Sequence, residues 1–152
     1  MIQQAPTSLS ELYEADETAW LDAMADLVRQ GRSDELDYVH LAEYLSDMAR
    51  SDRRRVESRL TTLLAHLLKW TYQPDHRTRS WRATIVVQRQ KLAQDATAGV
   101  LRNHAEAILP TAYAKAVERA AADTGIAAES FPAECPYTLE QLLTGKFPED
   151  SG

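Results

Sequence analysis

The stretch from His66 to Ile85, HLLKWTYQPDHRTRSWRATI, concentrates the residue types that do chemistry. It holds two histidines, three arginines, a lysine, two tryptophans and a tyrosine. On a helical wheel at about 3.6 residues per turn, Arg55, Arg59, Thr62, His66 and Trp70 fall along one edge of a leucine stripe. An imidazole with two guanidinium groups could bind an anion or move a proton. His66 and Arg59, with Arg89 from the next helix, are therefore candidates for a small cleft. The plainer reading makes His66 a satisfied boundary histidine at the rim of a core.

Arg77, Arg79 and Arg82 surround Ser80, which is expected to cap the start of a helix. A helix N-terminus carries partial positive charge and prefers anions. Cations crowded there call for an acid from elsewhere in the chain, or for a bound phosphate, sulfate or carboxylate. SDRRR at residues 51–55 raises the same question at the other end of the preceding helix, about 30 Å away at 1.5 Å per residue. The two clusters are too far apart for one small ligand but could both meet an extended polyanion. Trp70, Tyr72 and Trp81 would add stacking surfaces for a nucleic acid. Against that stand an acidic pI of about 5.2 and the lack of a nucleic-acid reader motif.

Other chemistries find less support. His40, Glu43 and Asp47 share a polar helix face, but a bundle di-metal site needs paired Glu-x-x-His motifs, and only one His-x-x-Glu is present. A solvated acidic face explains them. Cys135, in PAECPYT, has no sequence cue to a basic partner, so no thiolate nucleophile is indicated. No glycine-rich phosphate loop occurs. No metal or cofactor is expected, and the balance leans away from an enzyme.

The chain around these residues has 152 positions, 44% hydrophobic and 26% charged, with five glycines and six prolines, which suits an ordinary globular fold. One helical domain over 1–152 is expected, with flexible ends at 1–7 and 148–152. The net charge of -6 is unevenly spread: residues 50–91 hold eleven Arg or Lys against three acids, and the remainder six against twenty. Acidic flanks packing beside the basic middle would neutralise it; a basic surface for a partner is the other reading. A single cysteine fits a reducing compartment. MIQQAPTSLSELYEADE lacks a secretory pattern, and no apolar run spans a bilayer, so a cytoplasmic protein without a membrane span is expected.

Helical periodicity runs through nearly the whole chain. SLSE at residues 8–11 reads as a capping box, and Trp20, Leu21, Met24, Leu27 and Val28 form an apolar stripe that ends at Gly31. Asp16 is positioned to interrupt the first turns. A second helix is expected over 38–49, with Tyr38, Leu41, Ala42, Leu45, Met48 and Ala49 facing inward. A third, central helix is expected from Ser51 to about Tyr72, and Pro74 stops it. A fourth begins near Ser80, with Trp81, Ile85, Gln88 and Leu92 on one face. Residues 96–100 are a weak point, and Pro110 should kink the stretch 101–123 or begin a new helix. The tail ends in a short helix after TLEQ, a second capping box. The fold class is all-α: a bundle of four to five main helices with a central antiparallel hairpin and a proline-containing tail.

The pieces LYEAD…AWL, GRSDELD, LAEYL, RSDRRRVESRLTTLLAHLLKW, YQPDHRTRSWRATI, AAADTGI and FPAECPYTLEQLL resemble the domain of unknown function 29 family, which is bacterial. The resemblance covers about Leu12 to Leu143. It implies an all-helical domain and no particular activity. Pro110 departs from the family pattern. The leading expectation is a non-enzymatic helical module that binds a protein partner or self-associates. The alternative is nucleic-acid or small-anion binding through residues 50–59 and 77–89. A third reading is an enzyme with a cleft around Arg59, His66 and Arg89. The candidate binding residues are Arg59, His66, Arg77, Arg79, Ser80, Arg82 and Arg89.

Overall fold

A computed structural model describes residues 8–145. Among the described residues six α-helices form, most of them started by a side-chain cap. The Ser8 hydroxyl accepts from the Glu11 N–H and starts α1, Leu9–Ala15. Asp16 ends α1 and its carboxylate accepts from the Ala19 N–H, starting α2, Glu17–Arg29. A 3-10 turn at Ser33–Glu35 leads to α3, Tyr38–Tyr72. α4 is Arg79–Ala96, α5 is Gly99–Thr124 and α6 is Leu139–Thr144. The second capping box is complete at α6: Thr138 accepts from the Gln141 N–H, and the Gln141 side chain accepts from the Thr138 N–H.

The two helices expected over 38–49 and 51–72 are one 35-residue helix. No glycine or proline separates them, and Asp47–Arg50 and Asp52–Arg55 are ion-paired at i, i+3 beside the expected break. SDRRR therefore lies in the middle of a helix, where there is no end charge to oppose. The expectation of crowded cations at a helix start does not apply there.

The chain divides into two compact units, residues 1–50 and 51–152, and α3 contributes to both. In the first unit, Trp20 and Met24 are buried. Trp20 donates through Nε1 to Asp37 at 3.2 Å, with Tyr13 edge-on at 4.8 Å and Tyr44 at 6.0 Å. The partly buried face of this part of α3 holds Asp37, His40, Leu41 and Tyr44, spaced i, i+3, i+4, i+7. The expected face is largely exposed: Tyr38 at 57%, Leu45 at 59% and Met48 at 47%. The aromatic cluster around Trp20 rotates the helix toward its polar–aromatic side.

The second unit has the expected core. Val56, Leu60, Leu63, Leu64, Leu67 and Leu68 of α3 are all buried. α4 runs antiparallel to α3, since Arg55 and Arg59 pair with Asp95 near its end while Lys69 lies over Trp81 near its start. α5 runs back alongside α3, with Glu57 meeting His104 and Lys69 meeting Asp123. Its buried face is mostly alanine, at 105, 112, 116 and 120, so its backbone can approach its neighbours closely. Leu139, Leu142 and Leu143 of α6 complete the core.

No new helix begins at Pro110, and α5 is helical through it. The missing N–H leaves only the carbonyl of residue 106 without its helical donor, and Glu106 and Pro110 are both exposed, so water can satisfy it. Among the described residues, no helix is long and apolar enough to cross a membrane.

Candidate functional site

The structure gives Arg59, His66 and Arg89 separate partners. Arg59 points to α4, donating to the Lys91 carbonyl at 3.3 Å and to Asp95. His66 is half-buried, and its Nδ1 donates to the Thr62 carbonyl at 3.0 Å, as a satisfied boundary histidine would. Burial pushes its pKa down, with the hydrogen bond to Thr62 acting the other way. Arg89 lies against α6; a Cβ placed at Gly145 would come within 2.5 Å of its Nε.

The arginine turn is also arranged differently from the expectation. Thr78, not Ser80, caps α4, accepting from the Trp81 N–H at 3.1 Å. Threonine is also a favoured cap, a little behind serine, and its use moves the helix start back, leaving Ser80 inside the first turn. Arg77 stacks over the Trp70 ring at 4.7 Å and donates to the Trp70 carbonyl at 2.8 Å. Its charge therefore serves the negative C-terminal end of α3. Arg79 and Arg82 are exposed and have no ion-pair or hydrogen-bond partner from their side chains among the described residues, so the expected internal acids are not seen there. Trp81 is half-buried, as expected, with the Lys69 ammonium 4.9 Å from its ring.

The polar face of α3 in the first unit does not form a metal cluster. His40 stacks on Tyr13 at 4.2 Å and meets Asp37 at 2.8 Å, while Asp47 pairs with Arg50. Among the described residues, no group of three or more His, Cys, Asp or Glu could hold a metal ion.

An opening lies where the sequence drew little attention, between α5 and the loop after it. This cleft has a volume of about 850 Å³. Leu109, Pro110, Tyr113 and Val117 line it from α5, and Phe131 and Cys135 from the loop. The loop is held by several contacts. Tyr113 donates its hydroxyl to the Pro132 carbonyl at 2.6 Å, and Phe131 packs edge-on against Tyr72 with centroids 5.1 Å apart. Burial pushes Tyr113 up to about 12. The Cys135 thiol donates to the Tyr137 carbonyl at 3.4 Å, and burial pushes its pKa up, which keeps it protonated and unreactive at neutral pH. Glu129 and Glu134 are the only charged residues in the lining. The one available sequence signal was FPAECPY, where two prolines prevent a helix and keep an apolar segment extended.

These features define an all-α fold with an apolar, acid-edged cleft. The chain belongs to the family Domain of unknown function DUF29, whose sequence profile matches residues 12–148. No curated protein and no solved structure matches the chain.

Proposed function

We propose that the protein is a non-enzymatic helical module that binds a protein partner through the cleft beside α5. The supporting observation is the cleft itself: about 850 Å³, apolar in lining and walled by a loop pinned through Tyr113. That volume falls within the range of about 300–1,000 Å³ typical of ligand pockets. Two glutamates and no base in the lining favour a partner segment with a large apolar residue next to Lys or Arg. The partly buried Cys135, whose pKa burial raises, supports binding rather than nucleophilic chemistry. The lone cysteine also fits a reducing compartment, so the cytoplasm is the setting this reading implies.

The test is to pan a random peptide display library against the full chain and against Ala114→Trp. Ala114 is exposed and lines the cleft, so an indole there blocks the opening without disturbing the core. Enriched peptides should carry an aromatic or branched apolar residue beside a basic one and should lose binding to Ala114→Trp while its melting midpoint stays unchanged. Equal binding to both proteins, or no enrichment, overturns the reading. A concentration-dependent dimer that Ala114→Trp abolishes would make the partner a second copy of this chain.

A further inference from the structure

A second, smaller cleft lies on the opposite face of α5. It is lined by Arg54, Glu57, Ser58, Thr61 and Thr62 of α3 and by Lys115 and Arg119 of α5. The α3 residues are spaced i, i+3, i+4, i+7 and i+8, which places them on one side of that helix. Lys115 and Arg119 are one turn apart at i, i+4. Lys115 and Arg119 sit two residues beyond Tyr113 and Val117, a rotation of about 200° at 100° per residue, so this cleft faces away from the apolar one. The two sites are therefore independent.

Three cations line this cleft against a single carboxylate. Among the described residues, neither Arg54 nor Lys115 has an ion-pair partner, and Arg119 donates only to the Thr62 hydroxyl, at 3.2 Å. The one acid in the lining, Glu57, is turned to His104, whose Nε2 lies 3.0 Å away. Like charges held close together repel, and the arrangement favours an external anion that lies between them. Hydroxyl donors are also in place. Thr62 accepts from Arg119 and keeps its own hydrogen to donate, and Ser58 is exposed with no hydrogen-bond partner among the described residues. Thr61 is already committed, donating to the Glu57 carbonyl at 2.9 Å. The cleft has a volume of about 260 Å³, against roughly 30 Å³ for one water, so a tetrahedral oxyanion fits with part of its hydration shell.

We propose that this cleft binds a phosphate dianion, either free or as the phosphomonoester group of a small molecule. Arg54, Lys115 and Arg119 supply the charge, and Ser58 and Thr62 supply directed hydroxyl donors. A doubly charged group suits three cations better than a carboxylate, which offers one charge and two oxygens. Arg79 and Arg82, in the first turn of α4, are not part of this site.

The test is isothermal titration of the full chain with inorganic phosphate and, separately, with O-phosphoserine, at constant ionic strength with chloride as the reference anion. One saturable site is expected. Lys115→Gln or Arg54→Gln should each weaken it by about tenfold, the size of one charge-assisted hydrogen bond. Ser58→Ala should weaken it less, and Arg79→Gln combined with Arg82→Gln should leave it unchanged. Tighter binding of O-phosphoserine than of inorganic phosphate would identify a phosphomonoester as the ligand; the reverse order would identify free phosphate. Arg54 and Lys115 are exposed, so these variants should melt like the parent and keep the test valid even if Arg119→Gln misfolds. Heats that do not saturate, or parental affinity in both Lys115→Gln and Arg54→Gln, overturn the proposal. Loss of binding in the Arg79/Arg82 double variant would place the anion at the turn instead and also overturn it. Ala114→Trp should bind phosphate normally, so failure of the partner reading leaves this site testable.

Discussion

Tyr113 ties α5 to the loop that walls the larger cleft, and Tyr113→Phe isolates that tie. The ring is 3% exposed, and its hydroxyl donates to the Pro132 carbonyl at 2.6 Å. Phenylalanine keeps the ring packing and removes one hydrogen bond. Such a bond contributes about 0.5–1.5 kcal/mol, and an acceptor left without a donor can raise the loss toward about 1–3 kcal/mol. A cost of about 1–2 kcal/mol should lower the melting midpoint by roughly 2–8 °C in a chain of this size. The pH dependence makes the test sharper. Burial, with smaller contributions from Cys135 and Tyr72, moves Tyr113 from its ordinary value of 10.0 to about 12. The unfolded chain begins to release this proton near 10, while the folded chain holds it until about 12. In that window the unfolded state binds fewer protons, so the parent loses stability as pH rises. Phenylalanine has no proton to lose. The difference between parent and Tyr113→Phe should therefore be full below pH 10 and narrow between 10 and 12. Circular-dichroism melts across that range measure it, and a tyrosinate absorbance titration should show one late-titrating tyrosine missing from the variant. Parental melting of Tyr113→Phe below pH 10, or a difference that stays constant up to 12, would refute the anchoring role.

Leu64 is 1% exposed among the α3 leucines, so Leu64→Ala should cost about 2–5 kcal/mol through lost burial and a residual cavity. An unchanged denaturant midpoint would mean α3 is peripheral. In the first unit, Asp37→Ala removes the cap of α3 and the acceptor of Trp20, and should cost about 0.5–2 kcal/mol as a cap alone. Burial works against the charged Asp37, but hydrogen bonds from His40 and Trp20 outweigh it and hold its pKa below the ordinary 3.8. Its stabilisation is present above that value and is lost as pH falls through the folded one. Emission from Trp20, read in a Trp70→Phe, Trp81→Phe background, should shift at acid pH in the parent. In Asp37→Ala it should be shifted already at neutral pH; the same emission in both would refute the network.

Much of the helical architecture was legible in the sequence, because local chemistry decides it. Ser8, Asp16 and Thr138 accept from nearby backbone N–H groups, and those caps act over three residues whatever surrounds them. The leucines from Leu60 to Leu68 share one helix face by spacing alone, and that face is the core of the second unit. What failed were decisions that depend on partners distant in sequence. The break expected at residue 50 does not form, since nothing between 38 and 72 stops a helix. Which stripe of α3 turns inward near residue 40 was settled by Trp20, Tyr13 and Tyr44. Arg59 and His66 share a wheel position, yet Asp95 on α4 draws Arg59 away while His66 bonds back to its own helix. Both clefts were invisible in one dimension. The larger needs Tyr113 to hold Pro132, nineteen residues on, and the smaller needs Arg119 to meet Thr62 across fifty-seven. Sequence by itself determined which segments are helical and that the leucines from Leu60 to Leu68 are buried, because those follow from periodicity and capping within a few residues. Tertiary structure decided where the charges converge, because a long side chain takes whichever partner the packing brings within reach.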